Sequence, residues 1–198
     1  MPAPKPKLAL AQDAEADKLL SKDPLALLIG MVLDQQIPLE WAFKGPYSLK
    51  QRIGHLEAAD IAAMDPDALA AAFSKTPAIH RFPAANAKRV QELCRIVVEQ
   101  YGGKADRVWR SATSGDELYR NIKALPGFGE QKARIFIALL GKQLGVDVPG
   151  WQEAAGDFGR PGTAMSVADI TDAASLGQVR QYKQERKAAA RAAAAAEG

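Results

Sequence analysis

Apolar residues recur at helical spacing along most of the chain. Leu25, Leu28, Ile29, Val32 and Leu33 fall at i, i+3, i+4, i+7 and i+8, one face of a helix. Asp23-Pro24 opens that helix as an N-cap followed by a first-turn proline. Asp34-Gln35-Gln36 closes it, before Pro38 breaks the pattern. An earlier helix begins near Asp13, and Asp65-Pro66 starts another with Leu69 and Phe73 on one side. The longest stripe runs from about Ala84 to Tyr101 through Val90, Leu93, Cys94, Val97 and Val98, and Gly102-Gly103 ends it. Asp116 to Ala124 predicts a short helix with Leu118 and Ile122 inward, and Gln131 to Leu144 a strongly apolar one. No segment alternates as a strand does. The expected fold is all-α, built of several short helices with short connections.

Outside these stripes the pattern weakens. Residues 1–10 are rich in Pro and Lys and are expected to be a flexible leader. Residues 145–162 are rich in Gly, Pro and acidic side chains and read as loop. A short amphipathic stretch around Val167 to Val179 reads as one more docking helix. Residues 181–198 form an Ala/Lys/Arg-rich tail, compatible with a helix but without an apolar stripe to bury. The expected organisation is a leader, one helical domain over residues 11–180, and this tail.

Composition narrows the classes. With 198 residues, 47% apolar and 25% charged, the chain suits one compact domain or two small lobes sharing a core. Its one cysteine, Cys94, excludes an internal disulfide and any all-cysteine metal or iron–sulfur site. Two histidines, His55 and His80, leave little for a histidine-rich metal site, so no metal and no cofactor are expected. The longest apolar run, Leu25 to Leu33, is too short to span a membrane, and the start has no signal-peptide core. A cytoplasmic monomer is expected.

Net charge, +3, says little, but its distribution says more. Residues 75–134 carry 12 Lys/Arg against 6 Asp/Glu, whereas residues 135–179 carry 2 against 5. A basic block between acidic ones is either a binding face for an anion or an accident of sequence order.

That block contains Leu125-Pro126-Gly127-Phe128-Gly129-Glu130-Gln131-Lys132-Ala133, set between two predicted helices over residues 116–144. Pro126 stops the first helix, and Gly127 and Gly129 leave amides uncovered by side chains. A helix N-terminus follows at once, with unpaired N–H groups and a positive dipole end. Such a turn holds a phosphate by its backbone alone. Leu125 and Phe128 are positioned to pack the two helices together.

This segment resembles a helix-hairpin-helix, and specifically that of the HhH-GPD superfamily of base-excision DNA glycosylases. Leu28-Ile29-Gly30-Met31-Val32-Leu33-Asp34-Gln35-Gln36 resembles the family's early helix, which ends in a glutamine near DNA. His80-Arg81-Phe82, Ala87-Lys88-Arg89 and the helix to Tyr101 resemble the segment before the hairpin. Val146-Asp147 resembles the loop and aspartate that follow it. The resemblance spans roughly residues 20–150 and implies two helical lobes with a cleft between them.

It also implies a reaction. A base inside a duplex is out of reach and is flipped into a pocket, at a cost of a few kcal/mol. The implied partner is double-stranded DNA. Gly127, Phe128, Gly129, Gln131 and Lys132 at the hairpin are the candidate phosphate grip, with Lys88 and Arg89 on the long helix and Lys123 and Arg134 nearby. Gln36 is the candidate to fill the gap left by the flipped base, with Gln35 able to exchange roles. Asp147 is the candidate catalytic carboxylate, stabilising charge on the sugar and orienting water. The match departs from the family there, since Val148-Pro149-Gly150-Trp151 follows the aspartate, and Asp157 is the reserve. Trp41, Tyr47 and Trp151 are candidates to stack on the base.

Family members that also cleave the strand carry a lysine two residues after the second hairpin glycine. Here that position is Gln131, and Lys132 follows, rotated about 100° around the helix. The expectation is therefore a monofunctional glycosylase, with Lys132 turned toward phosphate or solvent. The alternatives are a catalytically inactive helix-hairpin-helix DNA-binding protein and a protein-interaction module recruited through the basic tail.

Overall fold

The computed structural model describes residues 7–197. Among these residues there are eleven α-helices and no strand. The first three are α1 (Ala14–Lys22), α2 (Pro24–Leu33) and α3 (Leu39–Ile53). They are followed by α4 (Ala58–Ala63), α5 (Pro66–Ser74), α6 (Pro83–Tyr101) and α7 (Arg107–Arg110). The last four are α8 (Gly115–Lys123), α9 (Glu130–Gln143), α10 (Trp151–Ala155) and α11 (Ala173–Ala196). Two short 3-10 turns, Gly156–Gly159 and Val167–Asp169, join the last helices.

The aspartate caps act as the sequence predicts. Asp13, Asp23 and Asp65 each accept a hydrogen bond from backbone N–H groups in the first turn of the helix that follows. The helix after Asp23 is more deeply placed than its stripe implies. Every residue from Leu25 to Leu33 is buried, so α2 is an axial helix covered on all sides. It packs against α3 and α6. The long helix α6 turns Val90, Leu93, Cys94 and Val97 inward, and Gly102 ends it in the left-handed region. Burial pushes the Cys94 thiol up to about 12, which makes it packing rather than chemistry.

Four expectations change. Residues 7–10 are not a free leader: Leu8 and Leu10 are buried, and the Leu10 and Ala11 amides donate to Asp17 Oδ1 at 2.8 and 2.7 Å. Residues 1–6 of that leader lie outside the described residues. Pro38, where the pattern breaks, stands at the N-cap position of a helix that the pattern did not predict, α3, 15 residues long with Pro46 inside it. The stretch 145–162 is not all loop, because it contains α10 and the first 3-10 turn. The stretch from Val167 divides into a 3-10 turn and α11, and α11 runs through the tail to Ala196, anchored by buried Leu176 and Val179. No described helix is long and apolar enough to cross a membrane.

Candidate nucleic-acid interface

The hairpin between α8 and α9 is closed by its own backbone. The Leu125 amide donates to Ile122 O and the Phe128 amide to Leu125 O, each at 3.1 Å. Leu125 and Phe128 are buried, and the Phe128 ring meets Phe136 of α9 edge-on at 5.7 Å. They hold the two helices together as expected. Gly127 has φ +82°, and a Cβ there would lie 2.8 Å from Arg89 Cδ on α6. The left-handed backbone favours glycine, and a side chain here would also push the Arg89 side chain aside. The hairpin is thereby seated on the start of α6.

Gly129 is the N-cap of α9 and is exposed, and no side chain caps this helix. The first-turn amides of a 14-residue helix are thus left for an outside acceptor. Lys132, in that first turn, reaches away from them. Its Nζ donates to Met31 O at 2.7 Å. Met31 lies in the last turn of α2, where carbonyls lack intrahelical partners, so Lys132 caps α2 and ties the hairpin to the axial helix. The expectation that rotation turns Lys132 toward solvent or phosphate is corrected: the side chain is half-buried and lines a groove. Burial pulls its pKa down, opposed by the nearby Asp34 carboxylate.

The turn after α2 forms the facing wall. The Gln35 amide bonds Leu33 O at 2.7 Å, and Gln36 has φ +61°. A non-glycine residue in that region costs of order 1–2 kcal/mol and needs support from its surroundings. His80 supplies it. His80 Nδ1 accepts from the Phe82 amide and from Asn86 Nδ2, both at 2.9 Å, so the proton sits on Nε2 and is donated to Gln35 O at 2.9 Å. Arg89 adds longer bonds to Gln35 Oε1 and Asn86 Oδ1, each 3.4 Å. Burial lowers the His80 pKa, consistent with a neutral ring.

Between these walls lies a groove of about 1280 Å³. Four stretches and Met165 line it: the end of α2 with its turn, the start of α9 as far as Ile135, the Gly156–Phe158 turn, and Tyr182, Lys183 and Arg186 of α11. Helix α11 is held there by an ion pair between Arg180 and Glu40 of α3. The groove therefore gathers Gln35, Gln36, Gln131, Lys132, Arg134 and Asp157 from the expected set. Lys88 is exposed on α6 and outside the groove, while half-buried Arg89 stands behind Gly127.

Several candidates lie elsewhere. Asp147 is exposed on the loop after α9 and does not line the groove. Trp151 packs on α9, its ring so close to Gly141 that a Cβ there would lie 2.5 Å away. Trp41 is 40% exposed and donates from Nε1 to Ala78 O at 3.1 Å, and Tyr47 packs against the core. None of the three aromatic residues lines the groove; Phe158 and Tyr182 do. A smaller depression of about 440 Å³ lies beyond Arg134, bounded by Asp116, Tyr119 and Glu153.

Two residues escaped the sequence reading. Phe82 is 46% exposed beside the His80 network. Asp34, read only as a helix end, lines the groove with its pKa raised by burial and opposed by the charges of Lys183 and Lys132. The one available signal was composition: an acidic residue placed at a helix C-terminus, where the dipole disfavours it.

The uncapped start of α9 thus opens beside a groove with a mixed polar and apolar lining. Residues 29–197 match the family described as HhH-GPD superfamily base excision DNA repair protein. The chain belongs to that family. No curated protein and no solved structure is significantly similar to it.

Proposed function

We propose that this chain is a monofunctional DNA glycosylase that binds a duplex across the hairpin and hydrolyses the glycosidic bond of a damaged or mispaired base flipped into the groove. The observation that carries the proposal is the uncapped N-terminus of α9 opening beside a groove edged by Gln36. The amides of Gly129 and of the first turn of α9 take one phosphate, and the exposed Gln131 and Lys88 add polar contacts along the strand. Gln36, held in a supported left-handed turn, fills the space the base leaves. The exposed Phe82 ring, next to His80, offers a second side chain for insertion into the duplex. Phe158 and Tyr182 offer the groove aromatic faces for the base in place of Trp41, Tyr47 and Trp151.

The monofunctional reading rests on two features. Gln131 stands where strand-cleaving relatives carry lysine, and the Lys132 amine is engaged by a main-chain carbonyl. That contact holds the amine at the end of α2, one residue and about 100° of helix away from the position of the relatives' lysine. The exposure of Asp147, away from the groove, favours the second reading, an inactive DNA-binding protein on the same scaffold.

Duplexes carrying alkylated purines, uracil, oxidised guanine or mismatches, assayed for free base, separate the two. Release of a base from one of them supports the glycosylase, and salt-sensitive binding without release supports the inactive protein. Strand cleavage without added alkali, or a borohydride-trapped adduct, refutes the monofunctional reading.

A further inference from the structure

Three acidic side chains border the groove and are held very differently. Glu130 is exposed and paired with Arg134 at 3.2 Å. Asp157 is exposed and paired with Arg160 at 2.8 Å. Both carboxylates are solvated and already matched by a cation. Asp34 is half-buried, and no described residue gives it a hydrogen bond or an ion pair.

Its position is also electrostatically poor. Asp34 is the C-cap of α2, its amide bonded to Gly30 O at 3.0 Å, at the negative end of the helix dipole. Lys132 and Lys183 act on it from across the groove, and Glu40 repels it. Two residues on, Gln36 adopts the strained φ of +61°. Neither feature stabilises the fold. A desolvated carboxylate without a partner costs free energy that an amide of the same shape would not.

We propose that Asp34 is the catalytic carboxylate of the groove, the group that takes the proton from the attacking water. The proposal rests on the glycosylase reading and assigns its chemistry to α2 rather than to the loop after α9. In the step, the bond between C1′ and the base nitrogen breaks, with its electron pair leaving on the base. The water oxygen bonds C1′, the proton that water loses passes to Asp34, and the departing base takes up a proton from solvent. The ionised carboxylate faces the positive charge that develops on the sugar. Its raised pKa, caused first by burial, makes it a better proton acceptor than a solvated aspartate. The charges of Lys183 and Lys132 oppose that rise.

The test is single-turnover base release, on whichever panel duplex the wild type processes, together with duplex affinity and the thermal midpoint. Asp34→Asn is expected to slow release by about 100-fold or more. Its affinity stays unchanged and its midpoint is level or higher, because an unpartnered charge has gone. A carboxylate with a merely structural role would lower the midpoint instead. Asp34→Glu keeps the acid and is expected to release base faster than Asp34→Asn, which holds even if the amide disturbs the turn. Wild-type rates in Asp34→Asn, or loss of release in Asp147→Asn but not in Asp34→Asn, overturn the proposal while leaving the glycosylase reading standing. A wild type inert on every duplex overturns both.

Discussion

Replacing Gly129 with serine sets two uses of the same amides against each other. Gly129 has φ −90° and ψ −173°, extended backbone that serine adopts freely, and a Cβ there meets nothing within 4 Å. Serine at an N-cap accepts from the N–H groups of the first turn, here Gln131 or Lys132, and improves on glycine by a few tenths of a kcal/mol. In a chain of this size that raises the thermal midpoint by about 1 °C, at roughly 2–4 °C per kcal/mol. A DNA phosphate loses an amide in exchange. A hydrogen bond to a charged group is worth about 1.5–3 kcal/mol, so duplex affinity is expected to fall roughly 10- to 100-fold. The assay pairs a thermal melt with fluorescence-anisotropy titration at fixed salt. Gly127→Ala is the contrast. Its φ of +82° costs a Cβ about 1–2 kcal/mol, and Arg89 must also move, so both stability and affinity fall. If Gly129→Ser binds DNA as the wild type does while melting higher, the first-turn amides do not hold phosphate and the hairpin argument is wrong.

Other expectations follow from single contacts. Lys142→Met strands the buried Asp169 carboxylate, which Lys142 Nζ meets at 2.6 Å; a loss of about 3 kcal/mol is expected in chemical denaturation, toward the low end for a broken buried pair because the Met165 and Ser166 amides still donate to Asp169. His80 is held neutral, with its folded pKa below the ordinary 6.5, so the stability it contributes is complete above that value and drains away as pH falls below it. An imidazole NMR titration checks this, and a midpoint at or above 6.5 refutes it. Phe82→Ala leaves the thermal midpoint level, since the ring is half in solvent, but weakens binding to a lesion duplex by about 1–3 kcal/mol if the ring stacks on a base.

The sequence is most legible where one residue type has one use. Asp-Pro pairs announce helix starts, and the hairpin is readable because Pro126 and Gly127 have so few other uses in a helical protein. Helix α3 is hidden because Trp41, Lys44, Gly45 and Pro46 interrupt its stripe, and tertiary packing on α2 overrides that local pattern. Leu8 and Leu10 are hidden by the prolines and lysines around them.

The candidate site was half legible. Gln36 and the hairpin are placed by order along the chain, but desolvation is a property of space. The helix-end position of Asp34 sets it apart from Asp147 and Asp157, but it does not tell that Asp34 is half-buried and the other two exposed. Lys132 shows the same limit, since a rotation about its own helix cannot reveal that α2 ends within reach of its amine.

The groove walls come from residues near 35, 131, 157 and 183, spread over almost the whole chain. During synthesis the hairpin and the turn after α2 exist long before Tyr182, Lys183 and Arg186 are made. A nascent chain can therefore carry the hairpin with one wall of its groove missing. The groove is completed last, when α11 docks through Leu176, Val179 and the Arg180–Glu40 pair, and on the proposed function so is the ability to hold a base. Fraying of that one helix, anchored at only its first turns, would reopen the groove without unfolding the domain.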